Sequence, residues 1–196
     1  TGANWPDALG GSALAGAVHG PLLLTTPARL PDAVRSEIVR LGASKVYLLG
    51  GTAAVSSAVE SDLVGMLGRS GVVRLGGPDR YETARLVADE TIRVLGGGYS
   101  GDALVATGGN FPDATGGAAL AAALGRPILL ANPGSGAVYV PAATSRVTIL
   151  GGTAAVSSGV EQTLKASLGG SNVARAGGAN RYETADKVAA RVIEIA

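Results

Sequence analysis

The sequence of 196 residues contains no cysteine and only one residue each of histidine, methionine, phenylalanine and tryptophan. The absence of cysteine excludes disulfides, thiolate metal sites and cysteine nucleophiles. An excess of one charge sign is also lacking, because 16 Lys and Arg nearly balance 15 Asp and Glu to give a net charge of +1. This balance offers no basic footprint for nucleic acid and no polybasic patch for a membrane surface. No uncharged apolar run approaches the ~18–20 residues that span a bilayer.

Glycine, by contrast, is abundant, since its 31 residues are about twice the usual share. An internal repeat accounts for much of this excess. Residues 1–24 are identical to residues 107–130 at 15 of 24 positions, and residues 48–90 are identical to 149–191 at 26 of 43. The offset between the copies falls from 106 to 101 residues, which confines the length difference to the connection between positions 131 and 148.

Short apolar runs alternate with stretches of helical periodicity along both copies. The runs are apolar throughout, which is typical of parallel strands covered on both faces, and strand–helix alternation predicts an α/β layered fold with a parallel sheet. The predicted strands are Pro21–Thr25, Lys45–Leu49, Val72–Leu75, Ala103–Thr107, Pro127–Ala131, Arg146–Leu150 and Asn172–Ala176.

Helix-start motifs and paired glycines lie between these strands and helices. Ser57–Glu60 and Ser158–Glu161 are predicted capping boxes, and Asp79–Glu82 and Asn180–Glu183 have the same form. Glycine pairs at such turns can also cradle phosphate. However, the sequence contains neither GxxxxGK[ST] nor a complete dinucleotide fingerprint. We therefore interpret the glycine pairs as tight turns and predict no cofactor.

No catalytic or metal constellation is evident in the sequence. The only histidine, His19, has Gly125 as its repeat equivalent, so a role shared by both copies cannot depend on it. The repeated acids Asp7, Asp113, Glu82 and Glu183 lack a nearby second carboxylate, and the repeated serines lie in no GxSxG elbow. The sequence thus predicts a protein that is not an enzyme and that holds no metal.

An arginine–tyrosine pair begins a predicted helix in each copy, at Arg80–Tyr81 and Arg181–Tyr182. A cation at a helix start opposes the helix dipole, so its repetition requires another reason. The guanidinium either pairs with an acid of a neighbouring unit or binds a carboxylate or phosphate on a polymer. Similarly, the equivalent aromatics Trp5 and Phe111 either stack on a sugar ring or pack against the sheet.

Four motifs recur in a fixed order: R-x-GG-x-x-RYETA at Arg74–Ala84, TGxN-aromatic-PDA at Thr107–Ala114, P-[IL]-LL at Pro127–Leu130 and LGGTAAVS at Leu150–Ser157. In this combination the chain resembles the cell wall binding repeat 2 family over essentially its whole length. The resemblance implies tandem Rossmann- or Toprim-like layered modules, commonly three packed with pseudo-threefold symmetry. It also implies exported Gram-positive surface proteins that attach non-covalently to an anionic, teichoic-acid-like wall polymer.

The same resemblance associates the P-[IL]-LL segment with polymer attachment. Its apolar character predicts a buried strand whose carboxyl-terminal turn meets the ligand. The candidate ligand-binding residues are therefore Arg80, Arg181, Tyr81, Tyr182, Asn4, Asn110, Trp5, Phe111, Leu24, Thr25, Leu130 and Ala131. The expected location is the extracellular cell wall, with an export signal outside these residues because Thr1 opens no signal-peptide pattern. The alternatives are a wall hydrolase or amidase, a Toprim-like phosphate-handling enzyme, and a purely structural self-assembly module.

The repeat register divides the chain into three parts. Residues 1–71 are the carboxyl-terminal part of a first module, residues 72–172 form a complete module, and residues 173–196 begin a further one that could complete the first. We therefore expect segment 173–196 to pair with residues 1–70, within the chain or across an oligomer, and sister modules to pack against each other.

Overall fold

The computed structural model describes residues 1–2 and 6–193, so the candidate residues Asn4 and Trp5 lie outside the described residues. Its helices are α1 (Pro6–Leu9), α2 (Gly11–Ala17), α3 (Asp32–Arg40), α4 (Ser57–Leu67), α5 (Arg80–Leu95), α6 (Pro112–Leu124), α7 (Ser158–Leu168) and α8 (Arg181–Ile193). Its strands are β1 (Val46–Leu49), β2 (Val72–Leu75), β3 (Asp102–Thr107), β4 (Ile128–Ala131), β5 (Arg146–Leu150) and β6 (Val173–Ala176). Short 3₁₀ turns occur at Arg69–Gly71, Gly96–Gly98 and Gly170–Asn172. None of the described helices has the length and hydrophobicity needed to cross a membrane.

The larger sheet has the strand order β4-β3-β5-β6, and all of its pairings are parallel. All six residues of the central strand β3 are buried. Alternate β3 side chains serve opposite faces: Leu104 and Ala106 join the core beneath α6, whereas Ala103 and Val105 join the core beneath α7. The predicted α/β fold with a parallel sheet covered on both faces is therefore confirmed.

The smaller sheet contains β1 and β2, again parallel. The prediction of a strand at Pro21–Thr25 is wrong, because residues 21–25 adopt no regular secondary structure. The repeat equivalent of this segment is β4, which is a strand because it forms a parallel ladder of hydrogen bonds with β3. In the described structure the smaller sheet has no strand in the position of β3, so the segment has the right composition but no partner ladder.

The two repeats share one hydrophobic core across their junction. Leu9 of α1, Ala13 of α2 and Ala84 of α5 pack in the same cluster as Leu104 of the larger sheet. Helices α2 and α6 approach so closely that a methyl group on Gly16 would overlap the backbone of Ala122. The small side chains on these helices thus allow close packing between equivalent elements of the two copies.

The strand pairings divide the chain at other positions than the boundaries at 71/72 and 172/173 predicted from the repeats. Strand β2 pairs with β1, and β6 pairs with β5, so residues 173–176 extend the larger sheet. Helix α8 packs against α6 of the same half. The position beside β1 expected for the closing segment is therefore filled within the chain by β2. The boundaries at 71/72 and 172/173 stay a prediction, as does pairing across an oligomer.

One arginine in each half ties its strand to a glycine turn and a helix. Arg74 donates from Nη1 to the Gly50 carbonyl at 2.8 Å and from Nε to Glu60 at 3.0 Å. Arg175 makes the equivalent bonds to Gly151 at 2.8 Å and to Glu161 at 2.9 Å. These glutamates do not cap their helices as predicted. Their carboxylates are bound by the strand arginines instead. The N-cap positions are Ser56 and Ser157, one residue before the predicted Ser57 and Ser158, and of the two only Ser157 accepts a capping bond from its side chain.

We expect Arg175→Ala to lower the free energy of unfolding by about 2 kcal/mol, since hydrogen bonds to charged groups are among the stronger ones. Arg175 is only 17% exposed, and its removal leaves Glu161 and the Gly151 carbonyl without this donor. Urea unfolding measures the loss. The control is Arg40→Ala, whose pair with Glu37 is 68% exposed at the arginine and which should cost much less, because an exposed ion pair contributes little to stability. Equal losses of unfolding free energy in the two variants would contradict the conclusion that Arg175 stabilises the fold by linking strand, turn and helix.

Stability should also fall in acid through the same pairs. Hydrogen bonds from Arg74 lower the pKa of Glu60, and bonds from Lys165 and Arg175 lower the pKa of Glu161, relative to the usual 4.5. A pKa lowered by folding stabilises the protein above the unfolded pKa, and this contribution is lost as pH falls through the folded pKa. Glu60→Gln with Glu161→Gln should therefore reduce the difference in unfolding free energy between pH 7 and about pH 3.5. An unchanged difference in urea titrations would contradict this assignment.

Candidate functional site

The first arginine–tyrosine pair lies at the junction of the two repeats. Asp79 caps α5 by accepting from the Glu82 amide at 2.8 Å, which places Arg80 at the first helical position. Arg80 Nη1 donates to the Gly108 carbonyl at 2.8 Å, in the turn after β3. Tyr81 is half-buried and packs on the shared core. Arg80 therefore links the start of α5 to the turn after β3 in the larger sheet, and its role toward a ligand stays a prediction.

The second pair, Arg181–Tyr182, has a different environment. Both residues are exposed at the start of α8, and Tyr182 is 80% exposed where Tyr81 is packed. Burial raises the pKa of Asp113 at the start of α6, while the Arg181 charge and a bond with Thr184 act in the opposite direction. Arg181 is thus electrostatically coupled to Asp113, and Tyr182 presents an aromatic ring to solvent.

The two P-[IL]-LL segments also differ in environment. Leu130 and Ala131 are buried in β4, and the carboxyl end of this strand is held by a bond from the Gly108 amide to the Ala131 carbonyl at 2.8 Å. Leu24 is exposed, and Thr25 is half-buried outside any strand. The expected buried strand is therefore present in the second copy alone, and the contact of its following turn with a ligand stays a prediction.

Asn110 and Phe111 follow β3 on the same edge of the larger sheet. The Asn110 side-chain oxygen accepts from the Phe111 amide at 2.9 Å and shapes the entry to α6. Both side chains are exposed, and Phe111 keeps 44% of its surface accessible. Nearly half of the Phe111 surface is thus accessible to solvent, and its role as a stacking face stays a prediction.

Beside Leu130 lies a cleft of about 260 Å³ that the sequence did not reveal. Tyr139, which is 41% exposed, donates from its hydroxyl to Asp89 at 2.9 Å. The guanidinium of Arg85 lies 5.5 Å from the Tyr139 ring centre and bonds Glu82 and Asp89. These bonds lower the pKa of Glu82 and raise that of Arg85. The walls of the cleft are Asp79, Tyr81, Glu82, Arg85, Leu129, Leu130, Asn132, Ala137 and Tyr139.

Sequence reasoning missed Arg85 and Tyr139 because neither position is repeated. The equivalent of Arg85 is Asp186, and Tyr139 lies in the connection where the two copies differ in length. The only available signal was the scarcity of aromatics, which makes an aromatic in a variable connection unusual.

The chemistry of the site is set by the side chains near the carboxyl ends of β3 and β4. Within the described part of the chain, no group of three or more His, Cys, Asp or Glu side chains is placed to hold a metal ion. His19 is exposed just beyond α2, with a φ of 52° in the left-handed region. The carboxyl edge of the larger sheet instead combines exposed aromatic rings with hydrogen-bonding side chains, which suits a polar ligand that also has apolar faces.

The fold and this edge together define a class of tandem-repeat α/β binding modules. The family model for cell wall binding domain 2 matches residues 1–60 and 74–161. The chain therefore belongs to the cell wall binding domain 2 family, as the sequence motifs predicted, and is a cell-wall-binding module.

Curated relatives and solved structures agree with this membership. The chain is 34% identical over 178 residues to an amidase enhancer and 30% identical over 192 residues to the N-acetylmuramoyl-L-alanine amidase LytC, both of Bacillus subtilis. These alignments cover 90% and 95% of this chain but 23% and 36% of the relatives. Cwp8 and Cwp6 from Clostridium difficile superpose with TM-scores of 0.77 and 0.80, at 31% and 25% identity, over 93% and 97% of this chain. Those alignments span 31% and 30% of the two solved chains.

The packing of Tyr81 on Gly108 gives a test of the junction. A methyl group on Gly108 would overlap the Tyr81 ring, so we expect Gly108→Ala to destabilise the protein by about 1–3 kcal/mol, as overpacking does. In a Tyr81→Ala background the added cost should largely disappear, because the two sites are coupled. The control is Gly97→Ala, which has nothing within 4 Å of the added carbon. Additive losses in urea unfolding would contradict a direct contact.

Proposed function

We propose that this chain anchors a longer exported protein to the bacterial cell surface by binding an anionic wall polymer non-covalently, without catalysing a reaction on it. Membership in the cell wall binding domain 2 family supports the wall as the partner. The chain covers less than two fifths of the length of the two curated relatives. This supports a division of labour in which other parts of the longer protein carry any activity, including wall hydrolysis.

The exposure of two aromatic rings, one beyond the end of β3 and one beside β4, carries the proposal. Phe111 follows the carboxyl end of β3 and is 44% exposed, and Tyr139, next to the Val138 that bridges Ala131 of β4, is 41% exposed. Aromatic rings are apolar faces on which a sugar ring can stack, and nearby polar groups can fix its hydroxyls. Asn110 and the Asn132 side chain of the cleft supply such groups beside the rings.

We propose that Arg181 binds the anionic groups of the polymer. The guanidinium fork matches the geometry of phosphate or carboxylate oxygens, and Arg181 is exposed at a helix start, where the dipole also favours an anion. Arg80 contributes less to the ligand in this proposal, because its Nη1 donates to Gly108.

A further sister module is the second partner that the geometry favours. Tyr81 packs at a junction between repeats, and its equivalent Tyr182 is 80% exposed. The start of α8 thus offers the surface that another copy of the repeat would cover. Several modules side by side would each bind the polymer weakly, and together they would bind it with higher avidity.

The aromatic edge is tested by Phe111→Ala combined with Tyr139→Ala. We expect retention on purified wall polymer to fall at least about tenfold, which corresponds to ~1.4 kcal/mol. Tyr139→Phe should retain most of the affinity, since it keeps the ring and loses only the bond to Asp89. The control is Val39→Ala on α3, a side chain 69% exposed and outside the site. Unchanged retention of the double variant would contradict a role of Phe111 and Tyr139 in polymer binding.

The anionic contact is tested by Arg181→Ala on two forms of the polymer. With native polymer, binding should weaken and lose part of its salt dependence, because an exposed charge pair is screened by salt. With polymer stripped of phosphate, Arg181→Ala and the unaltered protein should bind equally. An amidase activity that survives loss of polymer affinity would favour the enzymatic alternative. A chain that self-associates but binds neither polymer would favour the self-assembly alternative.

A further inference from the structure

Four cations lie at the amino ends of the strands, on the opposite side of the sheets from the polymer contacts proposed above. Lys45 directly precedes β1, Arg146 is the first residue of β5, and Arg126 lies two residues before β4. Arg93 is in the last turn of α5, the helix that packs on β4. We call these four residues the basic edge.

In the smaller sheet, Lys45 and Arg93 surround one carboxylate. Lys45 Nζ lies 5.9 Å from the centre of the Tyr47 ring. A bond from Arg93 lowers the pKa of Glu90 against the effect of burial, and a bond with Tyr47 and the charge of Lys45 act in the same direction as Arg93. Glu90 therefore holds the two cations beside the amino end of β1.

The end of α5 connects this group to the larger sheet. Leu95, two residues after Arg93, lies within 3.1 Å of the position that a methyl group on Gly125 would take. The next residue, Arg126, binds Asp102 at 2.9 Å through Nη2, and Arg146 binds the same carboxylate at 2.6 Å through Nε. The basic edge thus continues from β1 across α5 to β5.

The acids of this edge are buried, whereas most of its cations face solvent. The side chains of Glu90 and Asp102 are 13% and 10% exposed, but those of their partners Arg93 and Arg146 are 64% and 59% exposed. Lys45 is exposed as well. The outer surface therefore presents positive charge, which the net charge of +1 conceals because that value sums the whole chain.

Neutralisation of the buried acids does not account for all of these cations. Arg126, which is 16% exposed, already supplies one positive charge to Asp102, so Arg146 adds a charge that this carboxylate does not balance. Arg126 Nε is moreover buried without a hydrogen-bond partner. The repeat equivalent of Arg146 is Lys45, so both copies place a cation at this position.

The two exposed arginines are also held in matching orientations. Arg93 binds Glu90 through Nε and Nη2 at 2.6 and 2.7 Å, and Arg146 binds Asp102 through the same two nitrogens at 2.6 and 3.2 Å. Nη1 lies outside each of these pairs. A guanidinium that is already oriented loses less entropy when it binds a ligand, and its donors suit phosphate oxygens.

We propose that the basic edge is a second contact surface for the anionic wall polymer, at which Lys45, Arg93 and Arg146 bind its phosphate groups. This inference rests on the function proposed above. The six residues of β3 rise about 20 Å, more than twice the Debye length of ~8 Å in physiological salt. The basic edge and Arg181, at the opposite ends of the strands, therefore act on separate segments of the polymer.

The test compares two double variants that remove the same charge. Lys45→Gln with Arg146→Gln should weaken retention on native wall polymer about three- to tenfold at low salt, and the difference should disappear at high salt because exposed charges are screened. The control is Arg29→Gln with Arg35→Gln, before and within α3, which should retain the affinity of the unaltered protein. Unchanged retention of the first variant, or equal weakening by the control, would overturn the proposal.

A measurement on the unaltered protein removes any dependence on the folding of the variants. In an NMR titration of the isotopically labelled chain with inorganic polyphosphate, we expect saturable shifts of the amides at 45–47, 93–95 and 146–147. The absence of saturable shifts, or shifts confined to the start of α8, would contradict a phosphate-binding surface at the amino ends of the strands.

Two further ligands separate the polymer from other sources of phosphate. Polymer stripped of phosphate should bind the Lys45→Gln, Arg146→Gln variant and the unaltered protein equally. Vesicles of phosphatidylglycerol and phosphatidylcholine should bind both proteins alike. If the two substitutions weakened binding to the vesicles but not to the polymer, the surface would belong to a membrane and the proposal would be wrong.

The same assays distinguish failure of this inference from failure of the proposed function. If Phe111→Ala with Tyr139→Ala abolished retention while Lys45→Gln with Arg146→Gln did not change it, only the basic edge would be excluded. If the unaltered protein did not bind native polymer at any salt concentration, both proposals would fall.

Discussion

A buried parallel strand requires a hydrogen-bonded neighbour on each side and apolar cover on both faces, and this requirement organises the protein. β3 meets it fully: it pairs with β4 and β5, and all six of its residues are buried. The turn after β3 then lies where Arg80, at the start of α5, reaches the Gly108 carbonyl. The junction between repeats therefore depends on the central strand of the larger sheet being in place. In the smaller sheet the same requirement is not met at segment 21–25, and that segment has no ladder.

Much of the fold could be predicted because its determinants are local and repeated. Uniformly apolar runs such as Arg146–Leu150 are typical of covered parallel strands, and paired glycines mark the turns that follow them. The failure at Pro21–Thr25 arose because a strand is defined by its neighbour as much as by its own residues. The error at Glu60 and Glu161 has a similar origin. A carboxylate three residues into a helix fits a cap, but Arg74 and Arg175, distant in sequence, are stronger partners in the fold.

The candidate site was harder to predict than the fold, because identical motifs are buried to different extents and have different neighbours in the two copies. RYETA is the same in both copies, yet Tyr81 packs on a neighbouring repeat while Tyr182 faces solvent. Sequence identity between repeats therefore indicates a shared local structure and not a shared role. The cleft residues Arg85 and Tyr139 posed the opposite difficulty, because a search for repeated features passes over positions that are not repeated. Phe111 was found because its aromatic character is repeated at Trp5.

The geometry of parallel sheets explains why the two P-[IL]-LL segments are not equivalent as candidate ligand contacts. Ligands of such sheets meet the carboxyl ends of the strands, where the following turns gather. In the larger sheet, Leu130 is buried and the turn beyond β4 is held by Gly108 and the cleft. Leu24 and Thr25 are the equivalent residues of the smaller sheet, but an exposed, irregular segment does not present a fixed edge.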